Sequence, residues 1–169
     1  GAGGIGFDVS EYLLHEGQSP SLNKAQFFAE WGVDTTAGAR GGLKPANIEA
    51  VPRKIYLLQR KTSKVGDGLG KTTGWIHRTS LKNRDVDMIS GATYRKIDDA
   101  GLHITVGGQD TVLPVDNVIL CAGQEPFRAL QEGLVAAGQT VHLIGGADVA
   151  AELDAKRAIK QGAELAASI

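Results

Sequence analysis

The feature that most constrains this chain is its opening run, Gly1-Ala2-Gly3-Gly4-Ile5-Gly6, which leads straight into a helix-like segment. In a G-x-G-x-x-G pattern the first glycine permits a tight turn, the second lets a pyrophosphate approach the backbone, and the third lets the next helix pack on a sheet. Phosphates then rest on the unpaired N–H groups of that helix's N-terminus. The helical side of the pattern is right: Ile5, Val9, Tyr12 and Leu13 recur at helical spacing until Gly17 stops them. The apolar strand that should deliver the chain into Gly1 would lie before the first residue. A piece of an enzyme is therefore expected, with a dinucleotide-binding fold that lacks its first strand. A lone glycine pattern is weak, and a ligand-free turn stays open as the alternative.

A chain of 169 residues corresponds to about one domain, or to two half-domains, and is long enough to bury a core. Its formal net charge of -1 gives no support for a nucleic-acid or membrane-surface partner. The single cysteine, Cys121, excludes a disulfide framework within the chain and any iron–sulfur or zinc site built from its thiolates alone. There is no run near the ~18 apolar residues of a spanning helix and no signal-like start, so a soluble protein of a reducing, cytoplasmic compartment is the default expectation.

Residues 18–54 are long for a crossover, since a whole βαβ unit takes ~30 residues. One amphipathic stretch, residues 23–31, lies between Pro20 and Gly32 and predicts a surface insertion with its own small helix. Phe27, Phe28 and Trp31 on that helix pack on the parent domain or dock a partner, packing being the blander reading. Next comes Lys54-Ile55-Tyr56-Leu57-Leu58-Gln59-Arg60-Lys61, an apolar strand that ends in cations. In a dinucleotide fold a carboxylate at that strand end takes the 2′-hydroxyl of NAD, whereas arginine accommodates the 2′-phosphate of NADP. This strand end carries no carboxylate. Arg60, Lys61 and Lys64 lie where a dianionic phosphate would, and a guanidinium fork can bind two of its oxygens. A solvated basic strand end is the plainer alternative, weighed against the glycine run.

Val65-Gly66-Asp67-Gly68-Leu69-Gly70-Lys71-Thr72-Thr73 invites comparison with a P-loop, but the position five before Gly70 is Val65, so the spacing fails. The segment reads instead as a flexible loop, with Thr72 or Thr73 capping a helix over residues 75–84. From Val86 the texture turns to β. Residues 86–89 read as a strand, 94–97 and 102–106 as a hairpin, and 109–113 as a further strand, together an antiparallel meander appended to a parallel sheet. Residues 117–122 and 141–144 read as two more apolar strands, each breaking at glycine. The second leads through Gly145-Gly146-Ala147-Asp148 into a helix over 149–167, where N–H donors beside a carboxylate would suit a diphosphate and a ribityl hydroxyl, or Asp148 is a plain N-cap.

The glycine run, the basic strand end, residues 117–126 and residues 141–148 together resemble the pyridine-nucleotide-disulfide-oxidoreductase type of flavoprotein, whose NADP domain is inserted within its FAD domain. More narrowly, Trp31-Gly32-Val33-Asp34, Leu58-Gln59-Arg60-Lys61, Gly68-Leu69-Gly70-Lys71-Thr72-Thr73-Gly74-Trp75 and Cys121-Ala122-Gly123-Gln124-Glu125-Pro126 resemble the C-terminal part of the bacterial NADPH-dependent 2,4-dienoyl-CoA reductases. The resemblance implies an α/β chain: a Rossmann-like three-layer NADP domain with an antiparallel meander over residues 1–114, then the C-terminal segment of an FAD domain over 115–169. It implies electron flow from NADPH to FAD here, then through a 4Fe–4S cluster to FMN and a 2,4-dienoyl-CoA of fatty acid β-oxidation elsewhere in the polypeptide.

Carried over residue by residue, the resemblance gives Gly1, Gly3, Gly4, Ile5 and Gly6 to the NADP pyrophosphate, and Arg60, Lys61 and Lys64 to the 2′-phosphate. It places Ala122 and Gly123 near the nicotinamide–flavin junction, and Gly146 and Asp148 against FAD. FMN, the cluster and the proton donors of the dienoyl site fall to the missing N-terminal portions, which are the implied partners. Hydride transfer between two cofactors needs orientation and no acid–base pair from the chain, so no catalytic residue is assigned. His15, His77, His103 and His142 show no metal-ligand grouping and read as structural or exposed. An unpaired central strand position invites strand exchange between copies. A non-redox module that binds an adenine nucleotide, or only holds neighbouring domains, is the competing class. The basic strand end argues against it, because ADP alone has no use for a 2′-phosphate pocket.

Overall fold

A helix that starts on glycines must take its stability from packing, because glycine disfavours helix by about 1 kcal/mol relative to alanine. In the computed structural model, which describes residues 1–151 and 155–169, helix α1 (Gly4–Leu13) meets this requirement by burying Phe7. Phe7, Leu14, Leu57, Val65, Leu81 and Val86 form one buried cluster, with Ala2, Val51, Ile55, Leu69 and Met88 packed around it.

Two compact units divide the chain, Gly1–Cys121 and Ala122–Ile169. In the first, α1 is followed by the short helix α2 (Lys24–Glu30), strand β1 (Tyr56–Leu58), helix α3 (Gly74–Asn83), strand β2 (Asp87–Ile89) and strands β3 (Thr93–Asp98), β4 (Gly101–Val106) and β5 (Gln109–Leu113). β1 and β2 pair in parallel, Tyr56 opposite Asp87 and Leu58 opposite Ile89, with α3 as their crossover. β3, β4 and β5 form an antiparallel meander. Leu102, Ile104 and Leu113 of its inner face form a second buried cluster with Leu58, so the end of β1 is covered by the meander. The chain is therefore α/β, with a small parallel and a small antiparallel sheet.

The insertion between α1 and β1 carries α2 where the sequence places a helix, started by the Asn23 side chain, which accepts from the Gln26 N–H at 3.1 Å. It is fastened to the core unit by an ion pair between Arg84 and Glu30 at 3.0 Å, both side chains under a tenth exposed. A turn beyond it is closed by Asp34, whose carboxylate accepts from the Thr36 N–H, the Thr36 hydroxyl and the Ala39 N–H. These hydrogen bonds, the Thr36 hydroxyl foremost, hold the Asp34 pKa down at about 2.

In the second unit, helix α4 (Gln131–Ala136) and helix α5 (Ala155–Ala166) flank a 3-10 turn at Gly145–Ala147. Two sequence expectations differ from the end of the first unit onward. Residues 117–122 and 141–144 form no strand among the described residues, although their apolar pattern matches that of β1. A strand exists only where a neighbour takes up its backbone hydrogen bonds, and these runs find none. The expected helix over 149–167 begins its described part at Ala155, and residues 152–154 of that expectation lie outside the described residues.

Candidate functional site

Gly3 is the N-cap of α1 in extended conformation, with no side-chain cap and no acidic residue in the first turn. The helical bonding there starts with the Phe7 N–H donating to the Gly3 carbonyl at 3.1 Å. A Cβ on Gly3 or Gly4 would meet nothing within 4 Å, so the helix start is open to an approaching group. Gly6 is the opposite case: a Cβ there would sit 2.0 Å from the Gly1 carbonyl oxygen and 3.3 Å from Leu57 Cδ1. The turn folds back onto its helix, and the helix onto β1, only because Gly6 has no side chain. Ile5, beside this turn, is more than half exposed. An uncapped N-terminus with no carboxylate in its first turn, and backbone that lets a ligand come close, suits a pyrophosphate.

The cationic loop follows β1. Gln59 N–H donates to the Ile89 carbonyl at 3.0 Å, extending the parallel pairing by one residue. Its side-chain amide then donates to the carbonyls of Lys61 at 3.1 Å and Ser63 at 2.6 Å, which curls residues 60–63 about it. Arg60, Lys61 and Lys64 stand exposed on this curl, and among the described residues none of them sits in an ion pair. Directly after it Val65 and Gly66 turn inward. Gly66 lies so close to α1 that a Cβ would be 2.7 Å from Phe7 Cζ, and Arg78 of α3 donates to its carbonyl at 2.8 Å. Phe7 thus packs against the backbone that follows the cationic loop, while its own helix leaves the glycine turn.

Thr73 occupies the N-cap of α3 as expected of Thr72 or Thr73, but its hydroxyl makes no cap bond. The residue has helical backbone angles, which point the side chain away from the free N–H groups, and the turn is closed instead by Gly74 N–H to the Gly70 carbonyl at 2.7 Å. Of the histidines, His77 pairs with Glu11 of α1 at 3.0 Å and His103 with Asp98 at 2.7 Å, while His15 and His142 enter no ion pair among the described residues. Among the described residues no three of His, Cys, Asp and Glu are grouped as metal ligands. No helix among them is long and apolar enough to cross a membrane.

The remaining candidates lie at the end of the first unit and in the second. Cys121 is half-buried; Ala122 and Gly123 are exposed, and Gly123 takes a positive φ of 119°. In the 3-10 turn, Gly145 N–H donates to Gln161 Oε1 at 2.8 Å, and Gln161 Nε2 donates to Asp148 Oδ2 at 2.9 Å. Arg128 Nε donates to the Ala147 carbonyl at 2.6 Å. One glutamine of α5 therefore holds both ends of the Gly145-Gly146-Ala147-Asp148 turn and leaves the second Asp148 oxygen uncommitted to it. Gln59 and Gln161 organise the two candidate sites, and neither was visible as such in the sequence, because their partners are backbone groups of a local curl for Gln59, and the Gly145 amide and Asp148 carboxylate of a separate segment for Gln161.

No family model matches the chain. It is 27% identical over 95 residues to a metal reductase of Desulforamulus reducens, a match that covers 56% of this chain and 14% of that protein. Its fold is shared with part of 2-naphthoyl-CoA reductase, solved in complex with 2-naphthoyl-CoA, at a TM-score of 0.55 and 22% identity. That likeness covers 65% of this chain and 16% of the other. The chain thus spans about a sixth of the length of the proteins it matches. Both of those proteins are reductases by name.

Proposed function

We propose that the chain is the NADPH-entry module of a flavin-dependent oxidoreductase of the 2,4-dienoyl-CoA reductase kind. The observation that carries this reading is that Phe7, on the helix with the open N-terminus, packs against the backbone that follows a cationic strand end without a carboxylate. Gly1, Gly3, Gly4, Ile5 and Gly6 would hold the pyrophosphate, and Arg60, Lys61 and Lys64 the 2′-phosphate. Ala122 and Gly123 would border the nicotinamide and flavin, and Gly146 and Asp148 would hold FAD. Bound together, nicotinamide and flavin supply the hydride chemistry. The part of the first unit is to fix the dinucleotide by its pyrophosphate and its 2′-phosphate, so that orientation is settled before reaction. The likeness to one reductase named for a CoA thioester and to another that is a metal reductase supports the oxidoreductase class. FMN, a 4Fe–4S cluster, fatty acid β-oxidation as the setting, and the rest of the polypeptide as partner are part of the same proposal.

Calorimetric titration with NADPH and NADH at modest salt, where the basic loop is not screened, tests it. Tighter binding of NADPH is expected. A guanidinium–phosphate contact contributes about 1.5–3 kcal/mol, so Arg60→Ala should weaken NADPH roughly tenfold or more and NADH far less. Equal losses would overturn the 2′-phosphate assignment. Equal affinity for ADP and NADPH would favour a non-redox nucleotide-binding module.

A further inference from the structure

The loop that carries Arg60 is not held by β1 alone. Ala92 N–H donates to the Gln59 carbonyl at 3.0 Å and Gly91 N–H to the Lys61 carbonyl at 2.9 Å, so the entry to β3 is fastened alongside the cationic curl. Two residues on, Tyr94 pairs with Ile104 across the meander, which puts both on one face of the sheet. That is the face whose Leu102, Ile104 and Leu113 cover Leu58 at the end of β1. Ile104 is buried, but Tyr94 keeps 43% of its surface exposed. The pairing register also shifts between Tyr94 and Lys96, an irregularity of the kind that re-aims side chains next to ligand sites. The Arg60 charge acts on the Tyr94 phenol, opposing the rise in pKa that partial burial causes.

A half-exposed aromatic ring on the strand whose entry is fastened to the loop of a phosphate-seeking guanidinium supplies the two groups needed for an adenosine that carries a 2′-phosphate. The ring offers a stacking face to the base, and the cation takes the phosphate one ribose away. Resting on the NADPH reading above, we infer that Tyr94 is the adenine platform of the site: the base stacks on its ring while Arg60 binds the 2′-phosphate. In this arrangement the tyrosine strengthens every adenine nucleotide alike, and the cations of the loop, Arg60 with Lys61 and Lys64, discriminate NADPH from NADH.

Adenosine 2′,5′-bisphosphate is the probe, titrated into the full chain. Base–aromatic stacking leads to an expected loss of about tenfold in affinity for Tyr94→Ala. Tyr94→Phe should stay within about twofold, because the ring is kept, and the ratio of NADPH to NADH affinity should not change in either variant. On the unmutated chain, the adenine H2 and H8 proton resonances of the bound probe should move upfield through the ring current, a readout that needs no variant to fold. Wild-type affinity in Tyr94→Ala, or no upfield movement, with Arg60→Ala still weakening the probe, overturns the platform and leaves the NADPH reading standing. A Tyr94→Phe loss as large as that of Tyr94→Ala also overturns it, assigning the effect to the hydroxyl. Failure of the unmutated chain to bind the probe at all overturns both.

Discussion

Residues 55–58 and 118–120 are apolar runs of the same character, yet they end in opposite states. In the first, Leu57 and Leu58 are under a tenth exposed, paired in register with β2 and covered by α1 on one side and the meander on the other. In the second, Val118, Ile119 and Leu120 are 36%, 52% and 84% exposed and carry no ladder. The difference lies in what surrounds them. An apolar run expresses a demand for neighbours, and it becomes a strand only where another strand accepts its hydrogen bonds and a helix covers its face.

The comparison can be broken first at the covered end. Phe7, 1% exposed, is the side chain on which the glycine turn, β1 and the Gly66 loop converge. Phe7→Ala should cost about 3–5 kcal/mol in urea unfolding, by lost transfer energy plus the cavity left behind. A loss under ~1 kcal/mol would show that the core collapses around the gap and that the contrast is overdrawn.

A smaller effect is expected where polar bonds do the work of a core. Asp34 closes its turn with its carboxylate, and its folded pKa of about 2 lies below its ordinary 3.8. Because the folded value is the lower one, the turn's contribution is present above pH ~4 and fades as the pH falls from about 4 to 2. Protection of the Thr36 and Ala39 amides relative to their intrinsic exchange rates should fall across that window, and Asp34→Asn should remove that pH dependence of protection. An unchanged profile in the variant would assign the acid response to another carboxylate. The smallest effect should come at the uncovered end: Leu120→Ser should shift unfolding by no more than about 0.5 kcal/mol. A clear loss there would mean that the run is packed in solution, and the two regions would then be alike.

Much of the first unit could be read directly. The meander strands were expected at 94–97, 102–106 and 109–113 and are found at Thr93–Asp98, Gly101–Val106 and Gln109–Leu113. Alternation and turn glycines are local signals, and a hairpin satisfies them with its own chain neighbours. Helices α1 and α2 were legible for the same reason. The strands at 117–122 and 141–144 were not realised, because pairing is a property of two segments and the pattern of one cannot supply it.

Within the candidate site the division is the same. The glycine turn, the carboxylate-free cationic strand end and the lack of thiolates for a cluster are legible from residues alone, since each is a matter of which residues are present and how they are spaced. The fold alone sets Gly66 against Phe7, braces the second turn with Gln161, and fastens the entry to the strand of Tyr94 alongside the loop of Arg60. These are contacts between separate segments, set by how helices and sheets close-pack, and no local period or spacing encodes which group meets which.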